Sequence, residues 1–128
     1  MSLAHARPEL EATNRSVRLD SNVLVGELVE VLGARLVAYI AGASETRAVR
    51  EWASGERVPR PATERRLRFA FIVASLIAAE EGSRVARTWM MGLNPGLNDQ
   101  SAARLIREGD LDEVSPLVIA AARTFVAS

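Results

Sequence analysis

Apolar residues return every three or four positions along most of the chain, which is the spacing of one face of an α-helix. Leu24, Leu28, Val31 and Leu32 set the first such face, with Ser21 or Asn22 to open the helix and Gly33 to stop it. A short second helix is expected over residues 35–41, with Leu36, Val37 and Ile40 inward and Gly42 at its end. Ser44 or Glu45 opens a third helix, which runs to Ser54 and ends at Gly55. Pro59 and Pro61 make residues 56–62 a loop. The fourth helix, residues 63–81, is long, and between 67 and 79 it is apolar on almost every side except at Arg68 and Ser75. A helix of that kind is buried, either at the centre of its own chain or at the contact of a homodimer.

Gly82 separates this element from a short helix over 83–91. The turn-rich string GLNPGLND follows, then a helix over 101–108 that stops at Gly109. Asp110 or Asp112 caps a last helix whose stripe is Val114, Leu117, Val118, Ala121 and Phe125. Pro116 is tolerated there as a residue of the first turn or so. No strand-like alternation occurs, so the fold class is all-α. Residues 1–20 hold Pro8 and no sustained period, and are expected to form a flexible arm.

Composition narrows the chemistry. Sixteen basic residues, all arginine, balance sixteen acids, so the chain is neither a uniformly basic nucleic-acid coat nor an acidic tail. The balance is uneven: residues 47–68 carry 7 Arg against 3 acids, between two mildly acidic stretches. The chain has no Cys, and His5 is its single His, which leaves no thiolate or His pair for a metal site or a triad. Adjacent acids such as Glu80 and Glu81, or Asp112 and Glu113, point in different directions on a helix. No phosphate loop or dinucleotide fingerprint is present, and no enzyme activity or cofactor is expected. No apolar run reaches membrane-spanning length, so a cytoplasmic protein without membrane contact is expected.

The string LVAYIAGASETRAVREWASGERVP reads as a helix-turn-helix. Gly42 allows the sharp turn, and Val49 and Trp52, three apart, lock the second helix onto the first. Thr46, Arg47 and Arg50 then point outward, where an Arg can contact guanine or neutralise a phosphate. Ser44 can satisfy open N–H groups or reach a phosphate, and Arg57 and Arg60 flank the backbone from the following loop. Arg65, Arg66 and Arg68 are possible additions to the patch. The same arginines also fit a solvated face paired with Glu51, Glu56 and Glu64, and Trp52 fits a core anchor better than a base-stacking role.

Downstream, Arg66-Leu67-Arg68-Phe69-Ala70, Thr88-Trp89-Met90, Leu93-Asn94-Pro95-x-Leu97 and Leu105-Ile106-Arg107-Glu108-Gly109 follow in order. Together with Val49-x-x-Trp52-x-x-Gly55-x-x-x-Pro59, this set resembles the Xre/MbcA/ParS-like type II antitoxins over about residues 23–126. The resemblance implies an N-terminal Xre-like helix-turn-helix bundle and a small C-terminal helical toxin-binding region. It also implies a RES-domain toxin as partner, whose NAD pocket the antitoxin covers, with operator DNA as a second target. Carried onto this chain, the toxin-facing candidates are Trp89, Asn94, Pro95, Leu97, Arg104, Arg107, Arg123 and Phe125. Trp89, Leu97 and Leu105 suit packing better than contact, whereas Arg104, Arg107 and Arg123 suit contact. The stretch 98–102 departs from the family, lacking the Gly and Pro common there.

The resulting division is an arm over 1–20, a helix-turn-helix region over 21–62, a connecting helix over 63–82 and a toxin-binding region over 83–128. The rival readings are a stand-alone helix-turn-helix regulator whose C-terminal half only dimerises, and a helical adaptor without DNA contact.

Overall fold

The structure is a computed structural model that describes the backbone from Leu3 to Ser128 and side chains from Arg7 onward. Met1, Ser2 and the His5 side chain, all part of the expected arm, lie outside the described residues. The fold is all-α, as the periodicity requires. The helices are α1 (Leu3–Arg18), α2 (Ser21–Leu32), α3 (Ala34–Ala41), α4 (Thr46–Ser54), α5 (Pro61–Glu81), α6 (Ser83–Met91), α7 (Ala102–Glu108) and α8 (Leu111–Ala127).

Helix α5 is the axis. Leu67, Ala70, Val73, Leu76 and Ile77 are buried on it, and α1, α2, α3, α6 and α8 pack around it. Its apolar character on nearly every side is therefore explained by burial within one chain. Pro61 occupies the first turn of α5, where its missing N–H costs no helical bond, so the helix begins two residues earlier than expected.

The expected arm is corrected: residues 3–18 form α1, which packs on α5. Its inner face is small and polar rather than large and apolar, with Ala12 and Ser16 buried. Hydrogen bonds and ion pairs supply the rest. Arg68 donates to the Ser16 carbonyl, Arg15 forks onto both carboxylate oxygens of Glu27 at 2.6 and 2.8 Å, and Arg123 forks onto Glu9. Thus Arg68, the lone charge in the apolar run of α5, is the anchor of the first helix.

A second knot joins α2 to α5. The Ser21 hydroxyl donates to Glu64, and Arg68 donates to the same carboxylate at 2.9 Å. The Ser21 hydrogen bond, aided by Arg68 and opposed by partial burial, holds the Glu64 carboxyl below its ordinary 4.5. A lowered folded-state value stabilises the fold above pH 4.5, and this contribution is lost as the pH falls through the folded value. Glu64→Gln is expected to cost on the order of 1 kcal/mol at neutral pH and to flatten the acid limb below pH 4.5. An acid denaturation series checks this, and an unchanged limb would remove Glu64 from the pH response.

The turn-rich stretch after α6 contains a feature that alternation could not reveal. Leu93–Asn94 and Gln100–Ser101 form a two-residue antiparallel ribbon, β1 and β2, around a 3-10 turn at Pro95–Leu97. The Asn94 side chain accepts from the Gly96 N–H at 2.9 Å, and Asn98 and Asp99 both take the left-handed conformation. These are residue types that enter this region most readily after glycine. Asp110 caps α8 by accepting from the Asp112 N–H, and Ser101 caps α7 by accepting from the Arg104 N–H. Pro116 lies in the second turn of α8 rather than the first, so the carbonyl of Asp112 lacks its usual helical donor. Gly109 stops α7 for a reason other than a left-handed turn. Its φ is −85°, and a Cβ there would come within 2.7 Å of the Leu105 carbonyl oxygen and 2.6 Å of the Val114 side chain.

Candidate functional site

Helices α3 and α4 occupy the segment where the sequence predicts a helix-turn-helix. At the end of α3, Gly42 takes φ 76° and its N–H bonds the Tyr39 carbonyl at 3.0 Å, while the Ala43 N–H bonds the Ala38 carbonyl at 2.9 Å. This paired closure satisfies the last carbonyls of α3 and turns the chain in four residues into α4. Val49 and Trp52 are buried, and through them α4 packs on α2 and α3. The opposite side of α4 is left to solvent.

The six predicted nucleic-acid residues fall into two adjoining groups. Ser44, Arg47, Arg57 and Arg60 line a cleft of about 680 Å³ between the turn, α4 and the start of α5. Arg50 lies beyond the cleft, in a shallow hollow it shares with Arg47, and donates to the Thr46 hydroxyl at 3.1 Å. Arg47 borders both hollows and so makes one strip of them. Ser44 does not cap α4: it is exposed in the turn, and Glu45 holds the capping position without a side-chain bond.

Glu51 sets the electrostatics of this strip. Its carboxylate is 3.1 Å from Arg57 and 3.7 Å from Arg47, and its side chain is only 21% exposed. Arg60 has no carboxylate partner among the described residues. Three arginines therefore face Glu45 and Glu51 across the cleft, an excess of one positive charge. An incoming phosphate would exchange with Glu51 for Arg47 and Arg57 and find Arg60 free. Thr63, which lines the same cleft, escaped the sequence reading because it looked like a helix start and nothing more.

The other arginines of the basic stretch do not join this strip. Arg65 pairs with Asp112 at 3.1 Å, Arg66 donates to the Ile106 carbonyl at 3.1 Å, and Arg68 is committed to Ser16 and Glu64. They tie α5 to α7, α8 and α1.

The C-terminal candidates are more dispersed. Leu97 is buried under α8, and Asn94 is spent on capping its own turn. Pro95 is exposed at the tip of that turn. Trp89 and Phe125 meet with ring centroids 6.2 Å apart and border a small apolar notch with Val85, Thr88 and Arg84. Arg123 is held by Glu9, which keeps its guanidinium more firmly protonated than usual. Arg104 is exposed, and the carboxylate of Glu108 acts on it in the same direction. Arg107 bridges the two halves. It donates to the Tyr39 carbonyl at 3.0 Å and lies 4.6 Å above the Tyr39 ring. That carbonyl is the one that also receives the Gly42 N–H, so α7 braces the α3–α4 turn.

Among the described residues no cluster of three or more His, Cys, Asp or Glu side chains converges on a common point. Among them, too, no helix is long and apolar enough to cross a membrane. Comparison with protein families, curated proteins and solved structures finds no match to this chain.

Proposed function

We propose that this protein is an antitoxin that covers the NAD site of a RES-type enzyme through its C-terminal helices and binds operator DNA through α4. The observation that carries the reading is the α3–α4 pair. One face of α4 is locked down by Val49 and Trp52, and the solvent side presents Arg47 and Arg50 beside a cleft holding Arg57 and Arg60. A surface helix of this kind, short and basic, suits a major groove, with the cleft arginines set for the flanking phosphates. The resemblance of the Trp89 to Gly109 motifs to the Xre-like antitoxins supplies the partner class.

A specific observation favours a second reading, a stand-alone regulator. Arg107, Arg123 and Leu97 are engaged inside the chain's own fold. A C-terminal half that serves only to brace the helix pair and to dimerise would use them in the same way.

Arg47→Ala combined with Arg50→Ala is expected to weaken operator binding by about tenfold or more and to lower the salt slope by about 2. Titration of labelled operator at several salt concentrations reads both quantities. Unchanged affinity would take the two residues out of the interface. A RES-type gene beside the gene for this chain is the first thing to look for, and co-expression with its product separates the two functional readings, because only an antitoxin restores growth. Deleting residues 114–128 is not a clean alternative: it strips Val118, Ala122 and Val126 from the core, so lost protection would report unfolding.

A further inference from the structure

A second groove lies away from the α4 cleft, where α2 and α3 meet α6 and α7. It measures about 730 Å³, within the range of sites that take a side-chain cluster or a small ligand. Its floor includes Leu36 and Ala103, both buried, and its walls are Tyr39 and Met91, which are 37% and 53% exposed. Arg35 and Arg87 stand on the rim, and no carboxylate lines the groove. Neither arginine has a carboxylate partner among the described residues; Arg87 makes only a 3.4 Å bond to the Val31 carbonyl. The groove is thus an apolar floor under unneutralised positive charge, walled by Tyr, Met and Arg, the side chains that concentrate binding energy at interfaces. Met adds a surface able to adjust to its occupant.

We infer that this groove is the docking site for an acidic, apolar-sided segment of the enzyme partner, seated in the manner of a helix in a groove. Charge selects that occupant. Two copies of the groove meeting face to face would bring four arginines together, which disfavours a symmetric pairing of this chain with itself here. A segment with apolar side chains for Leu36 and Met91 and flanking carboxylates for Arg35 and Arg87 meets both demands. The inference rests on the antitoxin reading for the identity of the partner. It adds to the C-terminal helices of that reading a contact at the seam where α6 and α7 meet α2 and α3. Arg107, stacked on Tyr39, then acts by positioning one wall of the groove.

The test uses this chain and a RES-type enzyme from the same genome, with affinity read by calorimetry and folding by thermal melting. Arg35→Glu with Arg87→Glu, and separately Met91→Asp, are expected to weaken the complex at least about tenfold with little change in melting. Operator binding, which uses α4, is expected to stay unchanged. Wild-type complex formation with full affinity in both variants overturns the docking site and leaves the antitoxin reading intact. A wild-type chain that does not bind the enzyme overturns that reading, and this inference with it. A wild-type dimer that the double charge reversal dissociates assigns the groove to a second copy, which also overturns the inference.

Discussion

Replacing Trp52 by Ala is expected to remove about 3–5 kcal/mol of folding stability, the range for deleting a buried aromatic side chain. The reasons are local. Helix α4 has nine residues, too few to persist alone, and its N-terminus has no side-chain cap. It is held by one buried face, and that face consists of Val49 and Trp52. Trp52 is the larger of the two and is 7% exposed, and its carbonyl accepts the Gly55 N–H that closes the helix. Without the indole, Val49 is the one fully buried side chain left on α4, helped only by the small, partly buried Ala48 and Ala53, so the directions of Arg47 and Arg50 are set less firmly. Urea denaturation checks the stability, and titration with the proposed operator DNA well below the melting temperature checks the arginines. Trp52→Phe, which keeps a ring in the site, is expected to lose less. A loss under about 1 kcal/mol for the alanine variant would mean that the side chain is not the anchor described here.

Most of the fold was legible because most of the helices announce themselves by large apolar side chains at helical spacing. The faces of α2, α3 and α5 are built from Leu, Ile, Val and Phe, and glycines punctuate the ends at Gly33, Gly42, Gly55 and Gly82. Helix α1 was not legible for the complementary reason. Its contact face is Ala12 and Ser16, side chains too small to register as a hydrophobic stripe, and its partners are Arg68, Glu27 and Arg123, distant in sequence. Periodicity reports what a segment buries of its own, not which carbonyl a remote arginine will reach. The ribbon at β1 and β2 is missed on the same principle, since two residues per strand are too few to alternate.

The candidate site divides along the same line. Arg47, Arg57, Arg60 and Ser44 could be grouped from sequence because a short turn and one helix face bring near neighbours together. The division of the remaining arginines could not. Arg65, Arg66 and Arg68 look equivalent to them by charge and differ only in having Asp112, the Ile106 carbonyl and Ser16 within reach. The groove between the two halves was invisible for a further reason: its walls come from residues 32–39 and 87–103, which nothing local connects.

Leu97→Ala is expected to cost about 2–5 kcal/mol in stability, as for other buried leucines. The residue belongs to the Asn94-Pro95-x-Leu97 motif, which the resemblance assigns to toxin contact. Yet Leu97 is 5% exposed, and the turn that carries it packs on α8. The motif then has a structural reading in which each residue has a task. Asn94 caps the turn through Gly96, Pro95 presets its backbone, and Leu97 drives it into α8. The exposed Pro95 is the member of the three best placed to meet a partner. The two readings differ in what the alanine variant loses. A core residue lowers the denaturation midpoint and leaves the affinity of the folded remainder for the proposed enzyme partner largely intact, whereas a contact residue does the reverse. Equilibrium unfolding measured beside calorimetry on the same preparation decides between them, and a variant of wild-type stability with weakened binding would return Leu97 to the interface.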